Sequence, residues 1–596
     1  MDRNQATGLF LISALLLVYL FFFSPKKEPE QNKPQTTTTA AATKPVGAAP
    51  ALAPEALPTD TAAGPVRTIE LKNPELTLNF STQGGRVVAA RLNNYKTFFG
   101  KPLDLFDAQS ARYNTKLTTT GGQTIDFASL NFRADAPTAT ADGGQQLAFT
   151  APVGGGTVTQ TYTLPKAGYE VKYNLKLSGV ATTQPLSWSF VDNVRQTEQD
   201  IKQNRNHTTI NHYRADGKQD NLAEASEKPE ETKVSEPLTW VADKHDFFVA
   251  GFIADSQPFA NGQFNANVNL ADSTFIKGLS TQLSIPVAAV TGAQGANYRY
   301  FFGPNQFNLL KSTAPDFDKN VFLGFGPFRL VNRFLVIPTF NFLQQYISNY
   351  GIIILLLVVL IKLVTWPLTY KTYESQARMK VLKPELDEIK AKYPDDATKT
   401  QQETMKLYSQ FGVSPLSGCV PTLLTLPILF AMFQFFPNAI ELRQQPFLWA
   451  HDLSTYDNPI LLPFTLPYLG NHISLFTVLM TISTLFMTYQ SNQMNTAAMQ
   501  GPMKFYSYLM PLIFFFVLNS FASGLTWYYL VSNVVTLAQQ ALTRSFVDDT
   551  KIRAQLEANK VKNKDKKPGG FQARLAEAMK TAQEREAQAK KSPGKA

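Results

Sequence analysis

A lysine interrupts an apolar run near the middle of this sequence of 596 residues. The run reads YGIIILLLVVLIKLVTWP, residues 350–367, and the lysine is Lys362. Lipid tails do not solvate an ammonium group, so a charge in a membrane-length helix usually faces a protein interior or a water-filled cavity. Trp366 favours the membrane surface, which puts Lys362 about 6 Å, one helical turn, inside that surface. The long lysine side chain could instead reach the lipid headgroups, and the residues alone leave both explanations open.

Other apolar segments carry uncharged polar residues but no carboxylates. They are Thr425, Gln434, Thr477, Thr481, Ser483, Thr484, Ser532, Asn533 and Thr536. A cation channel or a proton-coupled transporter would be expected to bury carboxylates. One lysine among weakly polar groups predicts a mildly hydrophilic cavity instead.

Several kinds of chemistry are not supported by the sequence. The single cysteine, Cys419, excludes an internal disulfide, and the five histidines are scattered. There is no phosphate-binding loop and no glycine-rich dinucleotide motif. We therefore predict no catalytic residues, no metal site and no cofactor, so the protein is not expected to be an enzyme.

The N-terminal half of the chain predicts an anchor, a linker and a β domain. Residues 1–24 contain an apolar stretch long enough to span a bilayer. A cleaved signal peptide is the alternative, but FFFSPKK follows without a small-residue cleavage site, which favours an uncleaved anchor. Residues 25–65, rich in Pro, Thr and Ala, predict a flexible linker.

Residues 66–312 show alternation typical of β-strands. In YEVKYNLKL, residues 169–177, apolar and polar side chains alternate, and LTLNFSTQGGRVVAARL predicts two strands around Gly84 and Gly85. Repeated strands with few helical patterns predict a large all-β sandwich domain.

The rest of the chain predicts a helical membrane core, residues 346–545. An amphipathic helix, 326–345, lies in the membrane interface or packs on the β domain. Transmembrane helices are predicted at about 346–366, 417–437, 471–489, 505–521 and 524–543, with a charged helical hairpin over 367–416. With the anchor, the fold class is a multi-pass α-helical membrane protein of six transmembrane helices carrying the external β domain.

Charge predicts the orientation of these helices. The net charge is +10, and the tail, residues 546–596, is basic and ends in lysine-rich sequence. The positive-inside rule places the tail and both termini in the cytoplasm and the β domain outside it. The tail could bind anionic partners, or it could be a solvated, disordered extension.

Several segments, in order, resemble the YidC family of bacterial membrane protein insertases. They are NFSTQGGRVVAARLNNYKT, YRYFFGPNQFNLLK, WPLTYKTYESQARMKVLKPE, YSQFGVSPLSGCVPTLLTLPI, AIELRQQPFLWAHDLS and SGLTWYYLVSNVVTLAQQ. The resemblance covers nearly the whole chain. It implies an inner-membrane insertase and chaperone with a five-helix core and, as in Gram-negative members, a periplasmic supersandwich domain.

The resemblance also implies a substrate groove open to the cytoplasm and the lipid, containing a positive residue that is usually arginine. Lys362 occupies that position here, which keeps the charge but changes its geometry. We assign to the groove Lys362, Val358, Thr425, Gln434, Trp527, Tyr528, Tyr529 and Ser532. The implied partners are nascent membrane proteins, the ribosome, the Sec translocon and membrane lipids, with no specific nucleic-acid sequence.

Two other functions compete with an insertase. A transporter for a small anionic solute could use Lys362 as its counter-ion, although the internal repeat expected of many transporters is missing. A structural envelope protein would depend on the β domain, whereas an insertase should largely tolerate its loss.

Overall fold

The structure is a computed structural model that describes residues 64–272, 274–394, 396–413, 420–466, 469–494 and 502–563. These residues form two units. The β unit contains residues up to 323 together with 438–444, and the helical unit contains residues 324–437 and those from 445 onward. The predicted anchor, 1–24, and almost all of the linker, 25–65, lie outside the described residues.

The β unit contains twenty described strands in three antiparallel sheets. The strands are β1 Thr68–Lys72, β2 Leu76–Ser81, β3 Arg86–Lys96, β4 Pro102–Phe106, β5 Ala111–Thr118, β6 Thr124–Asp126, β7 Arg133–Ala134, β8 Thr138–Ala139, β9 Gln145–Val153, β10 Gly156–Leu164, β11 Glu170–Ser178, β12 Leu186–Arg195, β13 Thr208–Arg214, β14 Gln219–Asn221, β15 Glu230–Val234, β16 Leu238–His245, β17 Phe248–Ala254, β18 Gly262–Asn267, β19 Phe275–Ile285 and β20 Ala296–Pro304. Three short helices accompany them: α1 Ile201–Asn206, α2 Val287–Thr291 and α3 Phe307–Thr313. The sheet orders are β1-β2-β3-β4, β15-β18-β19-β12-β5-β6 and β14-β13-β16-β17-β20-β11-β10-β9-β7, with β8 also on β9.

The period-two pattern of the sequence is present in the strands. In β11 the apolar residues Val171, Tyr173, Leu175 and Leu177 are buried, whereas the lysines between them face away. The predicted turn joins β2 to β3, and Gly85 has a φ of 59° there. A Cβ on Gly85 would come within 2.6 Å of the Gln160 amide, so both backbone and space require glycine.

Aromatic side chains pack the two larger sheets against each other. Trp188 of β12 stacks on Phe252 of β17 with ring centroids 4.4 Å apart. Tyr113 of β5 meets Tyr300 of β20 edge-on at 5.5 Å. Because β12 and β5 belong to one sheet and β17 and β20 to the other, these contacts form the core of a sandwich. The predicted β-sandwich domain is confirmed.

The helical unit contains ten described α-helices. They are α4 Pro327–Val331, α5 Ile337–Gln344, α6 Tyr350–Val381, α7 Lys383–Lys392, α8 Ala397–Phe411, α9 Val420–Asn438, α10 Leu475–Met494, α11 Pro502–Leu518, α12 Ser523–Phe546 and α13 Asp549–Lys562. A π-helical turn, Asn332–Val336, joins α4 to α5, and a hairpin of β21 Ile460–Leu466 and β22 Gly470–Ile473 precedes α10.

Helices occupy each of the five predicted spans in the core, but their lengths differ from the prediction. Within the described residues, α6 alone is long and apolar enough to cross a bilayer. The apolar parts of α9 and α11, Leu426–Asn438 and Phe505–Leu518, are shorter. The count of six spans therefore stays a prediction. Helix α6 also continues through Pro367 into the predicted hairpin, to Val381.

A short segment after α9, residues 438–444, belongs to the β unit. Ile440 joins the hydrophobic core of that unit. The guanidinium of Arg443 is buried, and its Nε lies 3.0 Å from each carboxylate oxygen of Glu198. The Gln444 amide donates to the carbonyl groups of Lys96 and Thr97, each at 3.0 Å. Apolar burial, a buried ion pair and main-chain bonds thus hold this segment.

The Glu198–Arg443 pair makes the stability of the β unit depend on pH. Burial raises the pKa of Glu198 from 4.5 to about 7, and Arg443 opposes that rise. Since the folded state holds the proton more tightly than the unfolded state, this carboxyl stabilises the fold below pH 4.5, and the contribution is lost as pH rises through about 7. We expect Glu198→Gln to flatten the pH dependence of unfolding between pH 5 and 8, and Arg443→Leu to steepen it.

The measurement is hydrogen exchange of β12 amides in the intact protein, corrected for the intrinsic effect of pH. The change across this range is expected to be a few kcal/mol in the unmodified protein. Glu231→Gln, at an exposed carboxyl of the same unit, is the control. Equal pH dependence in the Glu198 and Glu231 variants would contradict the assignment.

Candidate functional site

Lys362 lies at the edge of the buried face of α6. Ile354, Val358 and Ile361 are buried on this face, whereas Leu363 and Val364 are exposed. The Lys362 side chain itself is half-buried. Among the residues that the structure describes, its ammonium group forms no ion pair and no hydrogen bond.

Helix α12 packs beside α6 in a parallel register. The indole N–H of Trp527 donates to the carbonyl of Gly351 at 2.9 Å, and the side-chain amide of Gln539 donates to the carbonyl of Lys362 at 3.0 Å. The two contacts are about 16 Å apart along α6 and about 18 Å apart along α12. Ser532, which is half-buried, lies between these two levels.

Two neighbouring tyrosines of α12 contact α9. The ring of Tyr528 is buried against Phe436, with centroids 5.5 Å apart. The ring of Tyr529 lies 5.5 Å from Phe433. The hydroxyl oxygen of Tyr529 is buried and has no hydrogen-bond partner within the described structure. A buried hydroxyl without a partner is costly, so it marks a place where a polar group or water would bind favourably.

The remaining predicted residues lie on α9. Gln434 is half-buried and lies beside Gly324, where an added Cβ would be 3.1 Å from its Cγ. Thr425 is part of α9, but its side chain lies outside the described residues. The structure therefore places Lys362, Val358, Trp527 and Ser532 at different levels along the α6–α12 contact, with Trp527 about 16 Å from the level of Lys362. Tyr528 and Tyr529 link that contact to the helix that carries Gln434.

Several polar residues that the sequence assigned to a hydrophilic interior bond to each other or to their own helix. The side-chain amide of Asn533 donates to the hydroxyl groups of Ser483 and Thr484, each at 2.9 Å. Thr481 donates to the carbonyl of Thr477 at 2.8 Å. These groups join α10 to α12 or satisfy the helix backbone, so they add less polarity to a cavity than their number suggests.

Sequence reasoning missed a buried polar cluster at the start of α10. Asp457 accepts hydrogen bonds from the backbone N–H groups of Leu475 and Phe476, at 2.8 and 3.1 Å, and from the indole of Trp449 at 2.8 Å. It thus caps α10 from outside the helix. The partners of Asp457 are eight to nineteen residues away, so local patterns do not reveal the cap.

Asn519, just after α11, completes the cluster. Its side-chain oxygen accepts from the N–H of Ser474 at 2.9 Å, and its amide donates to the carbonyl groups of Leu469 and His472, each at 2.9 Å. The N–H groups of Ser523 and Gly524, which begin α12, donate to the loop before β21. Together these bonds tie the ends of α10, α11 and α12.

Comparison with known proteins identifies the family of this chain. A family model described as 60Kd inner membrane protein matches residues 342–550, and one described as YidC periplasmic domain matches residues 68–337. The chain is 41% identical to the membrane protein insertase YidC of Amoebophilus asiaticus over 593 residues, which cover 98% of this chain and 99% of that relative. The chain belongs to the YidC family.

Further YidC proteins match over most of their length. The chain is 42% identical to the membrane protein insertase YidC of Cytophaga hutchinsonii, covering 89% of this chain and 87% of that relative. A crystal structure of an active YidC insertase with its first transmembrane domain resolved matches with 18% identity and a TM-score of 0.33, covering 89% of this chain and 98% of that one.

Membership identifies the chain as an inner-membrane protein of the insertase family with a periplasmic domain, and this confirms the resemblance. All twenty strands of the β unit fall within the YidC periplasmic match. All the predicted groove residues fall within the 60Kd inner membrane protein match. Family membership does not favour the anion transporter.

The Asp457 cap predicts a large effect of a small substitution in this YidC family member. Asp457→Ala leaves two helix N–H groups and a half-buried indole N–H without an acceptor, so we expect the free energy of unfolding to fall by about 2–3 kcal/mol. Unfolding of the purified protein in detergent, followed by temperature or denaturant, measures it. Asn471→Ala, at an exposed residue nearby, is the control, and equal stability of the two variants would show that Asp457 is not a structural cap.

Proposed function

We propose that this protein inserts integral membrane proteins, and helps them fold, through a groove bordered by α6, α9 and α12 that opens to the cytoplasm and to lipid. The groove would hold the short polar or acidic segment of an incoming protein while its apolar segment moves sideways into lipid. The single observation that carries this proposal is the half-buried side chain of Lys362, whose ammonium group forms no ion pair with a described residue.

The energetics of transfer explain what such a charge would do. Moving a carboxylate across a bilayer is costly because the apolar core cannot solvate it. A cation and water inside the bundle would shorten the distance over which the client carboxylate is unsolvated. Burial of the apolar client segment in lipid then supplies the driving force. No ATP is required, in agreement with the lack of a nucleotide-binding motif in the sequence.

The Tyr529 hydroxyl supports the same groove at a level about 15 Å from that of Lys362. It is buried without a partner, and Tyr529 precedes Ser532 by about one helical turn on α12. Water or a client backbone group bound there would satisfy the hydroxyl. The proposed groove would then have a charge on α6 and polar groups on α12 and α9.

Substitution of Lys362 tests the electrostatic role. We expect Lys362→Arg to be near neutral, because it keeps the charge. Lys362→Ala should slow insertion of clients with acidic translocated segments about five- to tenfold, equivalent to about 1 kcal/mol. Lys362→Glu should slow it further by repulsion. The measurement is insertion into proteoliposomes of matched clients that differ only in these acidic residues.

Lys371→Ala, at an exposed lysine further along α6, is the matched control. If Lys362 only extended to the headgroups, alanine would make the helix more apolar and leave insertion intact. Equal insertion of acidic and neutral clients by the alanine variant would exclude the charge-holding role. The groove could then act through its water alone.

We further propose the topology and the partners of this insertase. Six transmembrane helices, including residues 1–24, would place both termini, the hairpin α7–α8 and the tail in the cytoplasm. Nascent membrane proteins, membrane lipids, the ribosome and, for some clients, the Sec translocon are the proposed partners. The basic tail supports ribosome contact, since ribosomal RNA is anionic and such binding would weaken with salt.

Cysteine labelling tests this topology. In a Cys419→Ser background, a cysteine introduced at the exposed residue Glu388 of α7 should be labelled only from the cytoplasmic side. A cysteine at the exposed residue Lys101 of the β unit should be labelled from the periplasm. A membrane-impermeant maleimide applied to spheroplasts or to inverted vesicles gives the readout. Labelling of both positions from one side would overturn the orientation.

A further inference from the structure

The tail contains an ordered helix that packs on the cytoplasmic hairpin. Helix α13 buries Ile552 and Leu556, one helical turn apart, in an apolar cluster. The other buried members of this cluster come from the end of α6, from the start of α7 and from the end of α8 with the residues that follow it. They are Ala377, Leu382, Leu386, Tyr408, Phe411 and Val413. One face of α13 therefore contacts both arms of the hairpin as well as the helix that carries Lys362.

Charged groups fix the orientation of α13 on this surface. The guanidinium of Arg553 forms an ion pair with Glu385 of α7 and also donates to the carbonyl of Val381 at 3.4 Å. Lys380 lies 3.2 Å from Asp549. Each of the two surfaces thus contributes one cation and one carboxylate. If α13 lay in the reverse direction, Arg553 would face Lys380. Asp549 would then face Glu385, so like charges would meet.

The far end of α13 lies against the end of α8. The ammonium of Lys560 lies 5.1 Å from the centre of the Phe411 ring. Gly412, which ends α8 with a φ of 68°, has no Cβ, and one built there would lie 3.2 Å from the Asn563 amide. The position thus needs glycine for its backbone conformation, and a side chain there would press on the end of α13.

We propose that α13 is a clamp in which Ile552, Arg553 and Leu556 are positioning residues that hold the hairpin against the end of α6 during insertion. This proposal rests on the proposed insertase function. It divides the tail into two parts. The clamp, residues 549–563, holds the hairpin in position. The lysine-rich residues 564–596 bind the ribosome through their positive charge. Deleting the whole tail would combine the two effects.

Two variants of the tail separate the effect of the clamp from the effect of the distal charge. Truncation after Asn563 removes the distal charge and keeps the clamp. Ile552→Ser with Leu556→Ser keeps the charge and removes the apolar contact. Val561→Ser is the matched control, because Val561 is an apolar residue of the same helix that is 77% exposed. Hydrogen exchange of α7 and α8 reports the order of the hairpin, and proteoliposome insertion reports function.

The expected results differ between the variants. The double serine variant should exchange hairpin amides at least about tenfold faster and insert clients several-fold more slowly, since the buried pair anchors the contact. The truncation and the Val561 variant should leave both measurements near those of the unmodified protein. The truncation should lower co-sedimentation with ribosomes at low salt.

Charge reversal distinguishes loss of the contact between α13 and the hairpin from misfolding of the variant. Arg553→Glu and Glu385→Arg should each loosen the hairpin, and the two combined should restore its exchange rate and its activity. Unchanged hairpin exchange, or unchanged insertion, in the double serine variant would overturn the clamp. If the unmodified protein inserted no client, the insertase function itself would fail, and that result is distinct from normal insertion without the clamp.

Discussion

The parallel packing of α12 along α6 is the contact on which the candidate site depends. Trp527 and Gln539 bond to main-chain carbonyl groups of Gly351 and Lys362, so the register follows from the two donors and from the helix backbone. Gly351 must be small, because a Cβ there would collide with the ring of Phe447. A shift of one helical turn would break both bonds.

Lys362 differs from most polar side chains around it, which are hydrogen-bonded within the protein. In an apolar bundle, polar side chains are stable when they bond internally, as Asn533 does with Ser483 and Thr484. The side chains of Asp457 and Asn519 are likewise hydrogen-bonded to backbone groups. The ammonium of Lys362 forms no bond to a described residue, and the Tyr529 hydroxyl is buried without a partner, as is the side-chain oxygen of Gln540 on the same helix. Unsatisfied polar groups are retained at a cost in stability, and the proposed binding of a polar client segment would account for that cost.

Much of the fold could be predicted because its signals are local. Alternation in β11, the glycine turn before β3 and the apolar runs of α9 to α12 each lie within a few residues. The cap of α10 by Asp457 and the packing of α13 on the hairpin could not, because their partners are distant in sequence. Pro367 was also misleading, since α6 continues to Val381. A proline removes one backbone donor, and Thr365 and Thr369 bond to neighbouring carbonyl groups of the same helix.

The two ends of the helical unit are held in different ways, and this asymmetry bears on how a client would enter. Near Trp527, buried groups such as Asp457 and Asn519 hold the helix ends together by hydrogen bonds. Lys362 lies about 16 Å further along α6, toward the end where α13 contacts the hairpin through an apolar cluster, the exposed pair Lys380–Asp549 and the half-buried pair Arg553–Glu385. Ion pairs near the surface contribute about 0–1 kcal/mol and are weakened by salt, so we expect that contact to open more readily than the hydrogen-bonded end. A polar client segment would therefore reach Lys362 from the side of the hairpin and the tail, where opening costs least. The bonds around Asp457 would resist opening on the opposite side.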